Sequence, residues 1–78
     1  MASLRRDFGK RLKTIRLHRE LTQEQFAEVV GISVDFLSLI ERGINAPSFE
    51  VLERMAGRLD LQVRELFDFR KTAERARR

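Results

Sequence analysis

The side chains in this sequence that could do chemistry are suited to hydrogen bonding, and none is placed to react. His18 is the single histidine, cysteine is absent, no glycine-rich phosphate loop occurs, and the carboxylates are scattered over helix surfaces. No catalytic pair and no metal-ligand cluster can be assembled from that set, so the expectation is no enzyme, no cofactor and no metal. What remains is a group of polar residues at helical spacing between Leu21 and Gly43, LTQEQFAEVVGISVDFLSLIERG. Gln23 falls at the first position of a helix, where backbone N–H groups are unpaired and the helix dipole is positive, a setting that suits a phosphate. Its plainer reading is an ordinary exposed first-turn residue. Further on, Asp35, Ser38, Leu39 and Arg42 share one face of a second helix, with Val34 and Phe36 on its borders. Asp35 could accept from a cytosine amino group, Ser33 and Ser38 could serve any polar base edge, and Val34 or Leu39 could touch a thymine methyl. Arg42, at the helix end, suits a phosphate. The face lacks the arginine or lysine that fits guanine and the amide that fits adenine. Leu39 also fits a contact with another protein.

Two capped helices must hold these groups. Thr22 and Gln25 form a capping box, and Leu21 with Phe26 forms a hydrophobic staple, so the first helix starts at Thr22. Phe26, Ala27 and Val30 face inward, and the small Ala27 allows a close approach to the next helix. Gly31 can take the left-handed conformation that stops a helix. Ser33 then caps a second helix that runs to Arg42, with Ile32 and Leu37 repeating the staple, Leu37 and Ile40 inward, and Gly43 at the end. Such a pair cannot bury both apolar faces alone. A second helix held out at roughly 90–120° to the first has the shape that enters a DNA major groove.

The flanks supply the rest of an all-α domain over residues 1–69, with the helix-turn-helix at about 22–42. From Ser3 to Leu17 the residues Leu4, Phe8, Leu12 and Ile15 mark one helical face. Arg5, Arg6, Lys10, Arg11, Lys13 and Arg16 occupy the other sides, either as a solvated surface or as one facing phosphates. After the Ile44–Pro47 loop, Ser48 caps a fourth helix whose core stripe is Leu52, Met55, Ala56 and Leu59. Asp60 stands where a glycine would fit better. Val63, Leu66 and Phe67 form a short fifth helix, with Phe69 just beyond. Leu61, Val63, Phe67 and Phe69 together hold more apolar surface than so short a helix can bury, which fits a dimer contact and equally fits capping of the core. Residues 70–78, RKTAERARR, carry no apolar stripe and read as a frayed helix end or a basic arm.

Seventy-eight residues allow one domain, and the net charge of +4 favours an anionic partner. The distribution is uneven. Residues 1–20 carry seven basic and two acidic side chains, whereas residues 21–43 carry one basic and four acidic ones. Attraction to phosphates must therefore come mainly from outside the motif. No apolar run approaches the roughly 20 residues that span a bilayer, and the start lacks a signal peptide, so a soluble cytoplasmic protein is expected.

The runs T-Q-E-Q-F-A, G-I-S, L-S-x-I-E-R-G and N-A-P-S resemble the lambda-repressor-like helix-turn-helix family, which comprises phage repressors, Cro proteins and small bacterial regulators of the XRE type. The likeness covers about Leu12 to Phe67. It implies a compact five-helix domain that regulates transcription, as a homodimer on a two-fold operator in double-stranded DNA, with the helix 33–42 in the major groove. It further implies that Gln23 grips the DNA backbone, and sometimes a base, and that Asn45 and the N–H groups of its loop touch phosphates. Arg16 would pair with Glu41, tying the first helix to the third through an arginine–carboxylate fork. The two-fold contact would come from the chain end that holds Leu61, Val63, Phe67 and Phe69. Glycine is frequent in the family where this chain has Glu20. A different class of function stays open, a protein-interaction module or antitoxin-type adaptor that uses the apolar surface of Val34, Phe36 and Leu39.

Overall fold

Each α-helix begins where a hydroxyl side chain accepts from an amide that has no backbone acceptor. Ser3, Thr22, Ser33 and Ser48 accept from the amides of Arg6, Gln25, Phe36 and Val51 at 3.1–3.4 Å. The Thr22 N–H in turn donates to Gln25 Oε1 at 2.9 Å, closing the capping box. A cap of this kind is worth about 1 kcal/mol. In the computed structural model, which describes residues 3–70, these caps open α1 (Leu4–His18), α2 (Gln23–Val30), α3 (Val34–Glu41) and α4 (Phe49–Leu59). Gly31 and Gly43 end α2 and α3 at φ of 78° and 77°. Two other ends are made by residues that carry a Cβ, Glu20 at φ 59° and Asp60 at φ 56°.

The fifth helix is a 3-10 helix, Val63–Phe67, rather than an α-helix. Its amide bonds close three residues back, as in Glu65 N–H to Gln62 O at 2.9 Å. Five residues are too few for an α-helical ladder, and the tighter form suffices to turn Leu66 fully inward. No strand occurs among the described residues.

The core is assembled from all five elements. Leu12 of α1, Phe26 and Val30 of α2, Leu37 and Ile40 of α3, Met55 and Leu59 of α4, and Leu66 are fully buried. α3 packs against α1 and α2, α4 packs against α2, and the 3-10 helix closes over α1 and α4. At the crossing of α1 and α3 the two backbones touch. A Cβ on Gly9 would overlap the Ile40 carbonyl oxygen and lie 2.9 Å from that of Glu41.

Two assignments on α1 need correction. Leu4 belongs to the apolar stripe by spacing, yet it is 64% exposed, because the stripe's first residue lies beyond the elements packed on this helix. Arg11 belongs by spacing to the outer surface, yet it is buried and its Nε donates to the Glu65 carbonyl at 2.9 Å. The 3-10 helix covers this side of α1, and its carbonyl needs a donor there. Two more arginines serve helix ends similarly, Arg19 to Leu59 O at 2.6 Å and Arg58 to Val29 O at 3.3 Å. The basic tail expected over residues 70–78 lies, Arg70 apart, outside the described residues.

Candidate nucleic-acid interface

The outer strip of α3 is built by its cap and its core contacts. Ser33 fixes the helix start, and burial of Leu37 and Ile40 fixes the rotation about the helix axis. Val34, Asp35 and Arg42 are thereby exposed, with Ser38 and Leu39 half-buried between them. The side chains of Asp35, Ser38 and Arg42 make no hydrogen bond to any described residue, so their bonding capacity faces outward. Phe36 departs from its assigned border position. Its ring packs against the core and leaves the strip narrower than helical spacing suggests.

Behind this strip lies a buried ion pair. Arg16 Nε donates to Glu41 Oε2 at 2.8 Å, its NH2 donates to Glu41 Oε1 at 3.1 Å, and its NH1 donates to the Leu21 carbonyl at 3.0 Å. The two side chains are only 9% and 4% exposed. A third donor reaches the same carboxylate, Gln23 Nε2 to Glu41 Oε1 at 3.1 Å. A carboxylate only accepts, so Glu41 holds the amide of Gln23 with its nitrogen inward, leaving Oε1 and one N–H unengaged. Nothing in the sequence announces this contact. Beside it, the backbone N–H groups of Gln23 and Glu24 donate to no described residue, since the first amides of a helix have no carbonyl one turn back and the capping box serves only Thr22 and Gln25.

The loop after α3 differs from the arrangement that the resemblance implies. The N–H groups of Ile44 and Asn45 both donate to the Leu39 carbonyl, at 2.9 and 3.3 Å, and that of Gly43 donates to Ile40 O at 3.0 Å. These three are spent on ending the helix, and the side chains of Ile44 and Asn45 are exposed, that of Asn45 being the polar one. Positive charge gathers here instead. Arg5 NH1 donates to Ile44 O at 3.1 Å, and Arg6 lies against Gly43, 2.8 Å from where a Cβ would stand. With Arg42 they surround the loop with cations drawn from both α1 and α3.

An apolar surface forms beside the first turns of α1. Phe67 stacks on Phe8 with ring centroids 5.0 Å apart and meets Phe69 at 6.2 Å. Leu61, Phe67 and Phe69 are thus half-buried against the core, while Val63 is 40% exposed. Beside them runs a groove of about 460 Å³ whose walls include Leu4, Phe8, Pro47, Phe49, Leu52 and Phe67. The Phe49 ring at its edge is 81% exposed. Sequence reasoning missed Phe49. The available signal was an aromatic residue at the first position of α4, outside the Leu52, Met55, Ala56 and Leu59 stripe.

No group of three potential metal ligands exists among the described residues, and no helix there is long and apolar enough to cross a membrane. Residues 12–66 match the family described as helix-turn-helix. The immunity repressor protein of Bacillus phage phi105 is 47% identical over 55 residues, which make up 70% of this chain and 38% of that protein. The HTH-type transcriptional regulator YazB of Bacillus subtilis is 39% identical over 59 residues, covering 76% of this chain and 86% of that one. Among solved structures, the restriction-modification controller protein C.AhdI of Aeromonas hydrophila superposes with a TM-score of 0.74 at 34% identity, over 80% of this chain and 94% of that one. The chain thus spans well under half of the phage repressor and most of the two smaller proteins.

Proposed function

The chain belongs to the XRE-type helix-turn-helix family of transcriptional regulators and repressors, and from that premise we propose that it binds operator DNA in the cytoplasm as a homodimer. In this reading α3 lies in the major groove. Ser33, Val34, Asp35, Ser38 and Leu39 meet base edges, while Gln23, Arg42 and Asn45 meet phosphates. The observation that carries it is the strip of Asp35, Ser38 and Arg42, whose side chains hydrogen-bond to no described residue and stand beside the open N–H groups at the start of α2. Arg5 and Arg6 supply attraction that the acidic motif lacks. The two-fold contact is assigned to the surface of Leu61, Val63, Phe67 and Phe69, which would set two α3 helices into half-sites roughly 10–10.5 base pairs apart. The competing adaptor reading loses one of its three apolar residues, since Phe36 packs inward.

The test is selection of bound fragments from genomic DNA, followed by gel-shift titration at two salt concentrations. Asp35→Ala and Ser38→Ala are expected to change which fragment is preferred. Arg42→Ala is expected to weaken all fragments alike and to reduce the salt slope by about one. Absence of any preferred fragment at low salt overturns the reading.

A further inference from the structure

A strut between α1 and α3 is complete with the two bonds from Arg16 to Glu41, at 2.8 and 3.1 Å. The carboxylate nevertheless accepts a third, from Gln23 Nε2 at 3.1 Å. Gln23 is the half-buried first residue of α2, at the edge of the proposed DNA interface. We propose that Glu41 is a positioning residue for DNA binding, which holds the Gln23 amide in one orientation before the duplex arrives. The inference rests on the operator-binding reading above and deepens it by naming the group that prepares the start of α2.

Glu41 Oε1 takes N–H groups from Arg16 and Gln23 together, so turning the amide around would set oxygen against oxygen where the Glu41 side chain is 4% exposed. One orientation survives. A glutamine in open water samples many rotamers and both amide orientations, and a phosphate accepts only from the amino end, so binding must select among them. In this chain the fold makes the selection. The same guanidinium fixes the backbone, since Arg16 NH1 donates to the Leu21 carbonyl at 3.0 Å, and the capping box then closes over Thr22 and Gln25. The amide N–H that Glu41 leaves free and the main-chain N–H groups of Gln23 and Glu24 thus form a preset group of three donors, of the kind that a phosphodiester accepts. Presetting lowers the cost of ordering the contact and adds no bond to the complex.

Two measurements on the full chain test the proposal. In the free wild-type protein, nuclear magnetic resonance should show the Gln23 side-chain amino group exchanging with water more slowly than that of the exposed Gln25, whose amide is engaged through its oxygen. The second is a binding cycle. Affinities for one selected operator fragment, scaled to the folded fraction by circular dichroism, are compared for wild type and Gln23→Ala, each with and without Arg16→Met/Glu41→Leu. Glu41→Asp, which keeps a charge for Arg16 and withdraws the carboxylate by one methylene, replaces the double variant where that chain folds poorly. Gln23→Ala is expected to lower affinity by about three- to tenfold per half-site with Glu41 in place, and by under about twofold once it is gone. Equal losses in both backgrounds overturn the inference, as does a Gln23 amino group that exchanges as fast as that of Gln25. A wild type that binds with equal losses sinks this inference alone, whereas a wild type that selects no fragment sinks the operator reading and this inference with it.

Discussion

Removing Glu41 should cost far more than an ordinary surface carboxylate, and removing its partner as well should cost less. With Glu41→Ala, the Arg16 guanidinium keeps only the Leu21 carbonyl, while its Nε and NH2 face a site where the side chain is 9% exposed. Stranding one member of such a pair costs about 3–5 kcal/mol. Arg16→Met strands the 4%-exposed carboxylate on the single Gln23 donor, at a similar cost. A domain of this length has roughly 4–12 kcal/mol of total stability, so either change consumes a large share and should lower Tm by about 15–30 °C. In Arg16→Met/Glu41→Leu no buried charge remains. The groups left without partners, the Gln23 amide and the Leu21 carbonyl, belong to half-buried residues that water can reach. The double variant is therefore expected within about 2 kcal/mol of wild type, above both singles. Urea unfolding of the four proteins, with equal m-values, measures this cycle. Additive losses, or singles costing under about 1 kcal/mol, would refute the picture of a dry, coupled pair. DNA binding supplies a second check. The double variant regains stability but leaves Gln23 unheld, so under the proposed function its affinity should stay below that of wild type.

Four further predictions concern the backbone. Gly9→Ala should destabilise the fold by about 1–3 kcal/mol or more in thermal melts, because its Cβ meets carbonyl oxygens of α3 that have no side-chain freedom to move aside. Gly57→Ala, on α4 with nothing within 4 Å of the new Cβ, should instead stabilise by up to about 1 kcal/mol. Glu20→Gly should raise Tm by relieving a left-handed residue that carries a Cβ, worth about 1 kcal/mol less the entropy a glycine adds to the unfolded chain. Asp60→Gly, with the same sign of φ, should gain less, since aspartate tolerates that conformation better than glutamate.

What the sequence made legible was whatever depends on residues close along the chain. The caps at Thr22, Ser33 and Ser48 bond three residues on, and Gly31 and Gly43 turn the chain by their own conformational freedom. The helical faces of α2 and α4 followed from period alone. What remained illegible depends on distant partners. Arg11 and Arg5 look alike on α1, and only the 3-10 helix 54 residues away decides that Arg11 is buried. Gly9 reads as a weak point in a helix until α3 is laid across it. The resemblance implies phosphate contacts for the loop N–H groups near Asn45, but the left-handed Gly43 that ends α3 already directs the Ile44 N–H back to the Leu39 carbonyl, a local signal the resemblance does not weigh. The Gln23 contact to Glu41 spans 18 residues and joins two roles, base of the fold and edge of the site, that spacing alone keeps apart.

The charge arrangement then explains how an acidic motif can serve the proposed function. Four carboxylates lie between residues 21 and 43, but Glu41 is neutralised inside the domain by Arg16, and Glu24 and Glu28 belong to α2. Asp35 alone brings a negative charge onto the outer strip of α3. Set into a groove, that charge gains a hydrogen bond only from a cytosine or adenine amino group and is repelled by the acceptor edges of guanine and thymine. Its contribution to specificity is thus mainly a penalty against wrong sequences, and a penalty is tolerable only if other groups hold the protein to any duplex. Arg5, Arg6 and Arg42 surround the loop next to this strip and bear no such preference. Under the proposed function, attraction and discrimination fall to different residues on neighbouring elements, and the salt dependence of binding should follow the arginines while the choice of operator should follow Asp35.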